Sequence, residues 1–138
     1  MALRKNAKVD FISKVPLFAG CSKRELGAIA AVADELDFRD GTTLIQEGAR
    51  GREFFVIVEG TARVTRNGRK VNDLGPGDWA GEIALITETP RTASVVTTSS
   101  GRLLVVTDRA FRSVLEEIPS ISIKLMKTLG ERLHSTTL

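Results

Sequence analysis

Residues 77–95, GDWAGEIALITETPRTASV, hold most of the side chains that could act on a small ligand. A Gly-Glu pair stands at Gly81-Glu82 and a Pro-Arg-Thr triplet at Pro90-Arg91-Thr92. An ionised carboxylate accepts hydrogen bonds but repels phosphate, so Glu82 suits a sugar hydroxyl. Arg91 carries a planar fork that keeps its proton and matches phosphate oxygens two at a time. Residues 82–86 can form a short helical turn, whose exposed N–H groups and positive end favour an anion. Gly81 and Ala84 are small and let a ligand approach the backbone, and Thr92 adds a hydroxyl beside the arginine. The set describes a pocket for one nucleoside with a compact phosphate. No Walker-type phosphate loop is present to hold the outer phosphates of a triphosphate.

Each pair alone is commonplace. Gly-Glu before an apolar run marks many turn-to-helix junctions, and Pro-Arg before a strand is often a loop exit with a solvated cation. The joint pattern is more specific: Gly-Glu, nine residues from Glu82 to Arg91, then Thr-Ala-Ser-Val running into a strand.

The elements that must position these residues change character twice along the chain. Near the N-terminus, Ser22 and Glu25 have capping-box spacing, and Leu26, Ile29, Ala30 and Ala33 follow at helical period. Pro16 disfavours helix at Val15, so residues 15–18 read as extended or turn. From Leu36 to Thr107, glycines bound short runs rich in Val, Ile, Phe and Thr, the pattern of a sandwich or barrel. Asn67-Gly68 is the strongest hairpin signal, and TASVVTTS and RLLVVTD read as two further strands. After Thr107 the helical period returns. Asp108 is the expected N-cap, Phe111, Val114 and Leu115 share a face, and Pro119 ends one helix or starts the next. Ile121, Leu125, Leu129 and Leu133 then repeat every four residues, with Gly130 inside that helix at a cost of about 1 kcal/mol relative to Ala. The expected fold is mainly β: a jelly-roll-like β-roll with helices at both ends. The expected organisation is one domain over 1–138, with helical segment 1–35, roll 36–107 and C-terminal helices 108–138.

At 138 residues the chain is long enough to bury its own core. Hydrophobic residues make up 42% and charged residues 27%, ordinary for a globular protein, and the net charge of +3 is scattered rather than patched. A solvated surface, not a nucleic-acid interface, is the reading. Cys21 is the only cysteine and His134 the only histidine, so no internal disulfide, metal site or Cys-His pair is expected. No signal-peptide core or membrane-length apolar run is visible, and the expected location is the cytoplasm.

Residues 77–95 closely resemble the phosphate-binding cassette of the cyclic-nucleotide-binding domain family, which includes catabolite-activator-type transcription factors, protein kinase A regulatory subunits and cyclic-nucleotide-gated channels. The resemblance runs from VPLF (15–18) through IQEG (45–48) and FFVIVEG (54–60) to the final helix. It implies a catabolite-activator-like β-roll whose ligand is cyclic AMP or cyclic GMP, with cyclic AMP the first choice and no other cofactor. It assigns Glu82 to the ribose 2′-OH and Arg91 to the cyclic phosphate. The N–H groups of Ile83 and Ala84 also face the phosphate, with Gly81 permitting the contact. Thr92 occupies a position where a threonine accompanies either nucleotide. Val64 and Val71 match apolar positions on the base side, and Thr136 and Thr137 fall where hydroxyls touch the adenine amino group. Ala80 departs from the family, which usually has a bulky apolar residue there. Trp79 is the neighbour available to fill that space, with core packing its expected role.

The function implied is a non-enzymatic sensor whose C-terminal helix moves on binding. The alternatives are a degenerate roll that binds no nucleotide and serves dimerisation, or a regulatory fragment of a larger transcription factor, channel or enzyme. A homodimer or an effector domain is the expected kind of protein partner. No helix-turn-helix follows within the chain, so nucleic-acid binding is not expected of it.

Overall fold

A computed structural model describes residues 2–137. Two helices come first, α1 (Lys5–Ser13) and α2 (Lys23–Ala31), separated by a short 3-10 turn, Pro16–Phe18. Eight strands follow: β1 (Asp34–Phe38), β2 (Thr43–Ile45), β3 (Glu53–Glu59), β4 (Ala62–Arg66), β5 (Arg69–Leu74), β6 (Trp79–Ala80), β7 (Ser94–Thr97) and β8 (Gly101–Thr107). A second 3-10 turn, Glu82–Leu85, interrupts the strands after β6, and α3 (Asp108–Glu117) and α4 (Pro119–Thr137) close the chain. The first strand therefore begins two residues ahead of Leu36. All strand pairs are antiparallel, in two sheets ordered β1-β8-β3-β6 and β2-β7-β4-β5. This is the expected β-roll with flanking helices. No helix among the described residues is long and apolar enough to cross a membrane.

The run FFVIV in β3 is apolar at every position because both faces of its sheet are covered. Successive side chains point to opposite faces. Phe54, Val56 and Val58 enter a core shared with the helices, while Phe55 and Ile57 enter the roll interior. In β8, Leu104 and Val106 face the helices, and Leu103 and Val105 face the roll. Phe18 ties the helical core together. Its ring meets Phe54 edge-on at 6.0 Å and Phe111 of α3 at 5.8 Å, geometries that add about 0.5–1.5 kcal/mol beyond area burial.

The helix ends follow local chemistry. At α2 the Ser22 side chain accepts the Glu25 N–H at 3.2 Å and Glu25 Oε1 accepts the Ser22 N–H at 2.7 Å, the expected capping box. At α3 the cap is Thr107, whose hydroxyl accepts the Ala110 N–H at 3.1 Å. Asp108 is instead the first helical residue, where its charge still favours the positive helix end. Pro119 opens α4, where a missing N–H costs nothing. The first part of α4 is anchored by the buried Ile121 and Leu125, whereas residues 131–136 are exposed.

Trp79 and Ala80 lie on opposite faces of β6, paired with Val56 and Phe55. Trp79 packs against the helical core, as expected, and Ala80 against the roll core. Trp79 therefore does not fill the space beside Ala80, because adjacent strand residues cannot share a face.

Candidate functional site

The turn Glu82–Leu85 starts from Gly81, whose φ of 86° lies in the left-handed region. A Cβ there would sit 2.6 Å from Arg91 Nη1 and 2.8 Å from the Glu53 carbonyl oxygen, so glycine is required by both conformation and space. Within the turn the Ala84 N–H donates to the Gly81 carbonyl at 3.1 Å. Glu82 and Ile83 thus stand at its open start, where N–H groups lack helical acceptors. Ala84 and Leu85 are buried, and Leu85 packs into the helical core.

Arg91 is held from two sides. Its backbone N–H donates to Ala49 O and its carbonyl accepts the Gly48 N–H, both at 2.8 Å, and Arg50 bridges Pro90. Its guanidinium donates to the carbonyls of Glu53 (Nη2, 2.5 Å) and Gly81 (Nη1, 3.4 Å). The side chain reaches them across Gly51, where a Cβ would lie 1.6 Å from Arg91 Nε. Partial burial pulls the guanidinium pKa down, and Glu53 pushes it back up. It remains a cation, and among the described residues it makes no ion pair. The next residue is fixed from the hairpin: Arg66 Nε donates to the Thr92 carbonyl at 3.1 Å. Glu47 links the same two regions, its N–H donating to Ser94 Oγ and its carboxylate accepting the Asn67 N–H.

These elements enclose a cavity of about 210 Å³ lined by Gly81, Glu82, Ile83, Ala84, Arg91 and Thr92. The six cassette residues singled out in the sequence therefore converge on one space. Ile45, Thr89, Pro90, Ala93 and Val95 complete the lining. Val64 is not in it, but pairs with Val95 on the adjacent strand. Val71 sits at the irregularity between the pairs Val64↔Asn72 and Thr65↔Lys70 and is 55% exposed, outside the cavity. Thr136 is exposed on α4, its hydroxyl donating to the Leu133 carbonyl, and does not line the cavity. The Thr137 side chain lies outside the described residues.

Gly51 and the carbonyl of Glu53 were not singled out in the sequence as parts of the site. The one signal for Gly51 is a glycine just before an apolar strand; a backbone carbonyl has no side-chain signature. Elsewhere, burial pushes the Cys21 thiol pKa up, which disfavours the thiolate needed for nucleophilic chemistry. Among the described residues no group of three or more His, Cys, Asp or Glu side chains could hold a metal ion.

The fold is a β-roll closed by helices, with Arg91 and Glu82 lining a small cavity at a helical turn. The family model for the cyclic nucleotide-binding domain matches residues 35–118, and the chain belongs to that family. It is 41% identical over 123 residues to the cAMP-dependent protein kinase regulatory subunit of Mycosarcoma maydis, covering 80% of this chain and 23% of that protein. The chain thus spans about a quarter of that relative's length. Among solved structures, the N-terminal domain of a transcriptional regulator from Streptomyces coelicolor A3(2) superposes with a TM-score of 0.85 at 26% identity, covering 93% of this chain and 95% of that one. The regulatory domain of Toxoplasma gondii PKA, crystallised with cAMP, gives a TM-score of 0.73 at 26% identity, covering 93% and 50%.

Proposed function

We propose that the chain is a non-enzymatic cyclic AMP sensor whose cassette cavity takes the sugar-phosphate end of the nucleotide. The observation that carries this reading is the convergence of Arg91, Glu82 and the glycine-started turn on one cavity. Arg91 takes the cyclic phosphate with its remaining guanidinium donors, beside the Ile83 N–H. The Ala84 N–H contributes only by sharing its bond to Gly81 O. Glu82 accepts from the ribose 2′-OH. At about 210 Å³ the cavity is smaller than the 300–1,000 Å³ typical of whole-ligand pockets. The base therefore lies outside it, over the Val64 and Val71 side of the hairpin. Cyclic AMP is preferred to cyclic GMP because both relatives named for a cyclic-nucleotide-regulated kinase carry that nucleotide in their descriptions; Thr92 suits either.

Cyclic AMP has about 22 non-hydrogen atoms, and about 0.3 kcal/mol per atom gives a Kd in the micromolar to tens of micromolar range. Calorimetric titration of both nucleotides tests the reading. Arg91→Ala is expected to weaken cyclic AMP binding by about 2–5 kcal/mol. Unchanged affinity would remove the phosphate role. Glu82 predicts weaker binding of 2′-deoxy cyclic AMP, and equal affinity for both ligands would refute the ribose contact.

Two features of α4 support an output through that helix. Leu85, at the end of the cassette turn, shares the helical core with Ile121 and Leu125, and the turn contacts α3, which contacts α4, so α3 is the route from the turn to α4. Farther along, Ile123, Met126 and Leu133 are each 64% exposed at spacings of three and seven residues, one stripe of a helix. We assign this stripe to a second copy of the chain. Sedimentation should show a dimer that Ile123→Glu with Met126→Glu converts to monomer; a wild-type monomer at high protein concentration would overturn the assignment.

A further inference from the structure

A second cleft lies behind the cassette, on the other side of the segment that seats Arg91. It holds about 150 Å³ and is lined by Arg50, Arg52 and Arg112, with Glu88, Asp108 and Ala84. Three arginines thus line one small space from two parts of the chain, the loop before β3 and helix α3. Two carboxylates line the same space, yet none of the three arginines makes an ion pair or side-chain hydrogen bond among the described residues.

The backbone under the cluster is fixed at both ends. Arg50 bridges Pro90 and its neighbour Ala49 accepts the Arg91 N–H, while the Arg52 carbonyl accepts the Asp108 N–H at 2.7 Å. The loop is therefore tied to the cassette on one side and to the start of α3 on the other. Arg50 and Arg52 are carried to Arg112 by the fold itself. The backbone that carries them is set before binding, which lessens the ordering entropy lost there.

We propose that this cleft binds a compact phosphate-type oxyanion, separately from the cassette cavity. Guanidinium forks bind phosphate oxygens bidentately, and a tetrahedral oxyanion can face three forks where a carboxylate offers only two oxygens. The volume suits a phosphate or pyrophosphate group. Ala84 lines both cavities, and Gly51 lines the cleft on the backbone across which Arg91 reaches its seat, so the two anion sites share a wall.

Inorganic pyrophosphate titrated into the whole chain by calorimetry, at fixed ionic strength, tests the proposal. Wild type should give a saturable one-to-one isotherm. Arg112→Gln, and separately Arg50→Gln with Arg52→Gln, should weaken it at least about tenfold, the scale of one lost charge-assisted contact. These side chains are exposed, so the variants keep the fold, which a thermal melt checks. Arg109→Gln, also exposed on α3 but outside the cleft, should leave binding unchanged. Arg91→Ala should also retain pyrophosphate binding, which separates this site from the nucleotide reading: either can fail while the other stands. No saturable binding, or binding lost in Arg91→Ala and kept in Arg112→Gln, would overturn the proposal.

Discussion

Arg91 lies flat on the backbone of another segment because Gly51 has no side chain. A guanidinium needs acceptors when it leaves water, and the carbonyls of Glu53 and Gly81 supply them. Gly51→Ala would place a Cβ 1.6 Å from Arg91 Nε and evict the guanidinium from that seat. The glycine is not in the left-handed region, so the alanine itself fits the backbone. The expected outcome is a folded protein, by thermal melt, with cyclic AMP affinity lowered at least about tenfold, as for one lost charge-assisted bond. Affinity equal to wild type would mean the seat plays no part in binding. Gly81→Ala differs: the left-handed conformation costs a side chain about 1–2 kcal/mol before any clash. It should lower both the melting temperature and the affinity.

At the scale of elements, the α2 capping box also holds α4. Ser120 Oγ donates to Glu25 Oε2 at 2.6 Å and Lys124 Nζ pairs with Oε1, so one buried carboxylate caps one helix and anchors another. The Lys124 hydrogen bond first, then Ser120 and Ser22, lower the Glu25 pKa from 4.5 to about 2. A depressed carboxylate pKa stabilises the fold above the unfolded value, and that stability is lost as pH falls toward the folded one. Glu25→Gln should therefore unfold more easily in urea at neutral pH by about 1–3 kcal/mol. The gap from wild type should shrink as pH drops from 4.5 toward 2; a pH-independent gap would contradict the linkage. The capping box was legible because Ser22 and Glu25 are three residues apart, whereas Ser120 and Lys124 lie 95 and 99 residues from Glu25. The same contrast runs through the site. Glu82, Arg91 and the turn between them were readable because they are close in sequence. The Arg91 seat was not, because its shorter bond goes to a backbone carbonyl 38 residues away, that of Glu53. Helix α1 had no clear signal either: its N-cap residue, Arg4, makes no side-chain capping bond, and only Ile12 is fully buried. Its packing against α2 and β3 decides its structure.

Across the whole molecule, two hydrophobic cores share the same strands. β3 and β8 send alternate side chains into the helical core and the roll core, so neither core can be dismantled while those strands remain intact. The cassette cavity lies where the cores meet: Ile45 and Val95 of its lining belong to the roll core, and Leu85, at the end of its turn, belongs to the helical one. Shared strands make a single cooperative unit, as expected for a chain of this length. Trp79, the only tryptophan, packs on the helical side, so its fluorescence follows that core, while the proposed nucleotide site draws Ile45 and Val95 from the roll core. Phe54→Ala empties a site in the helical core, and Phe55→Ala empties one in the roll, each at about 3–5 kcal/mol. Losses of that size are a large part of an ordinary domain's stability of about 5–15 kcal/mol. Each variant should lower the midpoints of Trp79 fluorescence and far-ultraviolet circular dichroism together in a urea titration. Each should also lower the denaturant concentration at which cyclic AMP binding is lost, although only one core has been altered. Separated midpoints, with Phe54→Ala moving the fluorescence transition and leaving nucleotide binding in place, would mean that the cores unfold independently despite sharing β3 and β8.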